Sequence, residues 1–369
     1  MSSTVLENRY GLEPGTPELQ STGPITFGPD GILFVADSQQ AAIFAIATDD
    51  TAAPGGPISI DGVDARLAAF LGCARADLTI RDLAVHPTSE AVYFSVTRGT
   101  GESAMPVLLR LAADGAVSEV ALEGVPFSRA TLQDAPAADD ERTEVRVLAD
   151  DDHGSDVYES ASGFRLQLDK EPLRTVTVTD MAYTDGTLLV AGASNEEFAS
   201  TLRRIPFPFR DAGSTTGLEI FHVSHGKWET HSPIRTFVPF GDQSVLASYT
   251  CTPVVHFSLS DLQAGARATG RTVAELGSMN TPVDMVSYKR GGSEYLLVSN
   301  TRHPLMRIPC DTIEGQSALT EPKEPVGVPR DNLAQEGVGL MANLNDDYVL
   351  MAQRREGGID LRSYSTAEL

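Results

Sequence analysis

The stretch PITFGPDGILFVADSQQAAIFAIAT, Pro24–Thr48, decides the fold. A short apolar run meets Pro29-Asp30-Gly31, then ILFVAD, then a polar turn, then AIFAIA. The Pro-Asp-Gly segment is a turn for a physical reason. Proline presets φ, aspartate bonds the nearby backbone, and glycine accepts positive φ. Apolar runs of strand length, separated by turns this short, predict an antiparallel meander.

The same grammar returns along the chain. RDLAVHPTSEAVYFSVTRG starts at Arg81, TDMAYTDGTLLVAGASNEE at Thr179 and RTFVPFGDQSVLASYTCTPVVHFSL at Arg235. VDMVSYKRGGSEYLLVSNTRHPLMRI starts at Val283, and GVGLMANLNDDYVLMAQRREGGIDLRSY at Gly337. A period of ~50 residues with about four strands per unit predicts an all-β chain, a single β-propeller over residues 1–369. Six units are readable, so six blades are expected. Seven is the alternative, because 369 residues divided by a period of ~50 gives about seven.

The interval from Asp82 to Asp180 is twice the usual one. Residues 126–173 fill it with acidic sequence holding two strand-like runs, TEVRVLA and FRLQL, and read as an insertion or a degenerate blade. The last unit ends after three runs. An N-terminal strand near Thr4–Tyr10 is therefore expected to close the last blade. VDARLAAFLG, Val63–Gly72, has helical spacing and predicts one short helix between blades.

The first unit, through FGPDGILFVAD, resembles the NHL and SMP-30/gluconolactonase-like propeller repeat; the other units resemble it loosely. The resemblance implies the propeller fold. It leaves function open, since that superfamily holds lactonases, lyases and binding modules. SMP-30-like enzymes hold a divalent metal with acidic and amide side chains. This chain has no residue-by-residue match to that set, so no ligand is carried over.

Composition excludes several classes. The net charge of −23 and pI near 4.6 argue against nucleic acid and against anionic membranes as partners. No apolar run approaches the ~20 residues that span a bilayer. MSSTVLENRYGLEP has neither a basic n-region nor an apolar h-region, which points to a cytoplasmic protein. A chain cut after an export signal would read the same. Cys73, Cys251 and Cys310 are scattered and form no CxxC pair, so they read as small buried hydrophobes. Walker A, GxSxG, HExxH and dinucleotide-binding motifs are all absent.

Repeat position gives candidate sites. Asp82, Asp180 and Asp284 stand at the start of three inner strands. Two readings follow: caps that bond a neighbouring blade's amides, or a carboxylate ring for a divalent cation. SNTRHP supplies Arg302 to clamp an anion and His303 to ligate metal or move protons. Arg235, before another inner strand, is a second anion clamp. EIFHVSHGKWETHSP, Glu219–Pro233, holds three of the seven histidines and the only tryptophan. His222 and His225 are three apart, so a continuous strand points them to opposite sides. They converge only if the chain turns at His225-Gly226, which glycine permits. His222 is accordingly set aside. His225 and His231, with Trp228 as an apolar wall, join a site shared with other blades.

Two functions compete. One is an enzyme, a metal-dependent hydrolase or lyase acting on a small polar or anionic molecule at one mouth of the channel. Calcium or zinc would serve it, with copper a weaker choice. The other is a non-catalytic propeller presenting a face to a protein partner or small ligand.

Overall fold

A computed structural model of the chain describes residues 3–148, 156–159, 165–211, 213–250, 253–277, 280–322 and 325–369. Six blades surround a channel, with one extra three-stranded sheet. We number the blades by the chain order of their inner strands: Ile25–Phe27, Leu78–Val85, Asp180–Thr184, Ile234–Phe240, Pro282–Arg290 and Val338–Asn345. Around the ring the inner strands follow the order one, three, four, five, six, two. Blade 2 thus sits between blades 6 and 1.

Blades 1 and 6 are built from distant pieces of chain. Blade 1 takes Ile25–Phe27, Ile32–Asp37 and Ala42–Ala47 from the N-terminal meander, and its outer strand Val125–Thr131 arrives only after blade 2. Blade 6 is closed by Ser59–Ile60, which pairs with Leu361 and Arg362. An N-terminal strand therefore does close the last blade, but it is not Thr4–Tyr10. Ser3–Tyr10 is a helix, held where Tyr10 Oη donates to Asp30 Oδ2 at 2.6 Å. The helix expected between blades is Val63–Leu71.

Two strands of the opening stretch, Ile32–Asp37 and Ala42–Ala47, are buried along their whole length. A blade packs on a neighbour through both faces, so continuous apolar runs replace alternation. The Pro-Asp-Gly turn forms, with Asp30 at φ 54° and Gly31 at φ 76°, but the Asp30 carboxylate bonds Arg9 and Tyr10 of the N-terminal helix instead of the nearby backbone. A Cβ on Gly31 would lie 2.4 Å from His86 Nε2. His86 is buried at this lower end of the blades, where its Nδ1 accepts the Thr88 and Ser89 amides at 3.2 and 3.1 Å.

The long interval holds a separate antiparallel sheet of Thr143–Leu148, Asp156–Glu159 and Arg165–Pro172. The stretch 126–173 begins inside the outer strand of blade 1; only this sheet and its flanks are added material. It leaves the ring at the upper face, where inner strands begin and second-to-third-strand loops emerge. No helix of the described residues is long and apolar enough to cross a membrane.

Candidate functional site

The upper face carries the chemistry-bearing residues in three places. The channel mouth holds the three aspartates. Each bonds its own strand and the adjoining blade. Asp82 accepts the Leu83 and Ile25 amides, both at 2.8 Å. Asp180 accepts Met181 and Phe237 at 2.7 Å each. Asp284 accepts Met285 at 2.7 Å and Met341 at 2.6 Å. Blades 2, 3 and 5 thereby staple blades 1, 4 and 6, at every second interface of the ring. Thr236 Oγ1, 3.3 Å from Asp284 Oδ1, also hydrogen-bonds Asp180.

All three carboxyls are half-buried. Burial pushes Asp180 up to about 7 and Asp284 up to about 6, and the Asp284 charge adds to the rise at Asp180. Asp82 is raised well above the usual range by burial and by both neighbours. Unfolded, these groups titrate near 3.9. The folded protein therefore holds more protons between about pH 4 and pH 7. Their contribution to stability is full below pH 4 and is lost as pH rises through 6 to 7. We expect the denaturation midpoint to climb as pH falls from about 8 to about 5, and the climb to be smaller in Asp180→Asn. Equal slopes in variant and wild type would overturn this assignment.

The second place is the hairpin Ser214–His222 and Lys227–Glu229 at the edge of blade 3. The turn at Gly226 (φ 63°) is closed by its amide donating to His222 O at 2.8 Å. His225 thereby folds back over His222, with ring centroids 3.9 Å apart. Opposed residues of a hairpin share a face. His222 lies opposite Lys227 and Ile220 opposite Glu229, so His222 and Glu229 are diagonal neighbours on one side. Glu229 meets both rings: Oε2 is 2.9 Å from His222 Nδ1, and Oε1 is 2.8 Å from His225 Nδ1. One ligand atom from each of the three residues falls within a common 4.8 Å. Burial raises the Glu229 carboxyl, but the bonds to His222 and His225 outweigh it and hold the group down at about 2. Glu229 is therefore an anion at any ordinary pH.

This corrects the treatment of the histidines. His222, set aside from its spacing, is a buried member of the cluster with His225. The chain does turn at Gly226, which voids the opposite-sides rule. Trp228 is not a wall of the cluster. It pairs with Phe221 on the other side of the hairpin, ring centroids 5.5 Å apart, and is 50% exposed. His231 is exposed two residues beyond Glu229.

Arg235 is half-buried nearby. The added sheet brings Glu144 to the same loop, where Ser232 Oγ donates to its Oε1 at 3.0 Å. Burial raises Glu144; Ser232 and the Arg235 charge oppose that rise, and the Glu229 charge adds to it. Glu144 and Glu229 carried no local signal as site residues, because their partners are fixed by hairpin register and by a sheet far along the chain.

The third place is blade 5. Asn280 Nδ2 donates to Asn300 Oδ1 at 2.8 Å, and Asn280 Oδ1 accepts the Arg302 amide at 3.1 Å. These amides fix the SNTRHP loop. His303 is exposed at the loop tip, and Arg302 is half-buried. Blade 4 separates both from the histidine hairpin. Asp37, in the equivalent loop of blade 1, is fully buried and accepts Gln20 N, Ser21 Oγ and Gln40 N. Cys310 is buried, which pushes its thiol up to about 12. Cys251 and residues 149–155 lie outside the described residues.

Strand pairing and ring order define this chain as a six-bladed β-propeller. No family model matches it, and no curated protein matches it. Solved structures align along nearly its whole length. A streptogramin B lyase is 9% identical, over 96% of this chain and 97% of that one, with a TM-score of 0.39. The PQQ-bound aldose sugar dehydrogenase of Streptomyces coelicolor is 13% identical, over 95% and 96%, with a TM-score of 0.36. A chain of the mitotic checkpoint complex is 7% identical, over 97% and 93%, with a TM-score of 0.36. Identities this low speak to no shared chemistry.

Proposed function

We propose that the protein is a divalent-metal-dependent enzyme whose metal is held at the upper face by His222, His225 and Glu229. One observation carries this reading: three ligand atoms, two from imidazoles and one from a carboxylate, lie within 4.8 Å of one another. Two nitrogens and one oxygen suit zinc better than calcium, which takes oxygen ligands. Three protein ligands leave a tetrahedral ion one position for water or substrate. His225 is 45% exposed, so that position is reached from solvent. A metal there would polarise a carbonyl or lower the pKa of bound water. Lys227 Nζ, 3.2 Å from Glu229 Oε1, and Arg235 supply positive charge for a small anionic substrate, and Glu144 stands by as a proton carrier. Hydrolysis or elimination fits these parts.

Protein purified without added metal and analysed for elements tests the proposal. The expected result is close to one zinc per chain, restored by zinc after chelation. A chain that takes up no zinc, cobalt or manganese after dialysis against each would sink it. The second reading, a propeller that docks a protein, draws on Trp228, half-exposed on the far side of the same hairpin. It requires no metal, so the same measurement separates the two.

A further inference from the structure

A cleft of about 450 Å³ opens between blades 4 and 5 on the upper face, lined by Leu276, Gly277, His303, Met306, Arg330 and others. Its volume falls in the range of small-molecule sites, ~300–1,000 Å³. Arg330 is half-buried. Its Nη2 donates to Glu275 O at 2.8 Å and its Nη1 to Val326 O at 3.3 Å. These two carbonyls fix the guanidinium on the cleft wall, and the Glu275 carboxylate acts on its charge without pairing with it directly. No carboxylate of the described residues forms an ion pair with Arg330, and His303 makes no hydrogen bond among them.

The backbone makes room for this pair. Gly277 has φ 112°, and a Cβ there would stand 3.2 Å from His303 Nε2. Leu276, Met306 and Pro325 supply apolar wall around the two polar heads. We propose that this cleft binds a small carboxylate with an apolar body, the carboxylate held by Arg330 and His303. Guanidinium and carboxylate match in geometry, and the pair is worth most where water is partly excluded. The electrostatics agree: the partial burial of the His303 ring and the Arg330 charge both lower its imidazole, and burial lowers Arg330 while the Glu275 charge opposes that fall. A bound anion would reverse both trends. Glu275 joins the two places, since its carbonyl holds Arg330 while its Oε2 accepts the Ser224 amide of the histidine hairpin at 3.4 Å; the carboxylate site itself uses no metal ligand, so its test does not rest on the metal reading.

Benzoate is the probe, with inorganic phosphate as the comparison, titrated calorimetrically into the intact protein at low salt. We expect saturable binding of benzoate at one site, tighter than that of phosphate. NMR of the wild-type protein, assigned with His303→Ala, should show the His303 imidazole pKa rising on binding. Arg330→Gln should weaken benzoate about tenfold or more, with Arg330→Lys between. Lack of saturable benzoate binding, tighter binding of phosphate, a silent His303 or full affinity in Arg330→Gln would each overturn the proposal. The wild-type titration decides the matter even if Arg330→Gln does not fold.

Discussion

His222→Ala is expected to lower zinc affinity by at least about 100-fold. Side chains that only support a metal ligand are worth about 10- to 100-fold in affinity, and His222 is proposed as a ligand itself. It is 1% exposed, and its ring is set by the Glu229 contact and by His225 beside it. Loss of the imidazole therefore removes one donor and frees another from its position. Glu229→Gln should act in the same direction, because a neutral amide replaces the one anionic ligand. The readout is direct. Trp228 is the chain's only tryptophan and lies on the same hairpin. Its emission should change as zinc is titrated into the wild type, and the midpoint should move to higher zinc in both variants. A folded His222→Ala protein that binds zinc as tightly as wild type would refute the ligand set.

Asp134→Ala should cost about 3–5 kcal/mol of stability, the usual penalty for stranding one member of a buried ion pair. Arg203 is 2% exposed. Its Nε contacts both Asp134 oxygens, at 2.9 and 3.0 Å, and its other nitrogens donate to Thr177 O and Ala193 O. Thr215 Oγ1 also donates to Asp134, at 3.0 Å. Without the carboxylate the guanidinium keeps two carbonyls and no counter-charge. Denaturant melts give the size of the loss. The double change Asp134→Ala with Arg203→Met should recover most of it, because a buried pair replaced by apolar groups is often neutral. A single variant within about 1 kcal/mol of wild type would show that Arg203 finds other compensation.

What was legible in the sequence follows physical range. The Pro29-Asp30-Gly31 turn was readable because its constraint is local: specific residues accept specific φ values, and Gly31 must also spare His86. The inner three strands of most blades were readable for the same reason. Outer strands were not. Ser59–Ile60 is two residues long and has no periodicity, and Val125–Thr131 acquires its role from Ala42–Ala47, far upstream. The aspartates illustrate the limit for sites. Their place in the repeat was legible, and stapling of a neighbouring blade was one of the two readings. Which amides they meet depends on ring order, and blade 2 lies where no reading of consecutive units would put it. Glu229 was hidden by parity. On an extended strand His222 and His225 diverge, and only the positive φ of Gly226 folds them onto one carboxylate. Arg330 was hidden because the strands on either side of it, Val326–Gly327 and Asp331–Asn332, are two residues long and carry no periodicity.

The closure of blade 6 bears on how the molecule is made. Gly62 N donates to Asp360 Oδ1 at 2.9 Å across 298 residues of chain, and Ile58 N donates to Ser363 Oγ at 2.9 Å across 305. During synthesis the segment around Ser59 emerges first among the partners of blade 6 and must stay unclaimed until the final strand, Gly358–Ser365, leaves the ribosome. Blade 1 likewise waits for Val125–Thr131 before its third strand is covered. No nascent fragment short of nearly the whole chain contains a sealed ring, and each incomplete one exposes an unpaired strand edge. Deletions from the C-terminus should therefore yield aggregation-prone chains rather than smaller propellers, and the first sixty residues are where a chaperone would have longest to act.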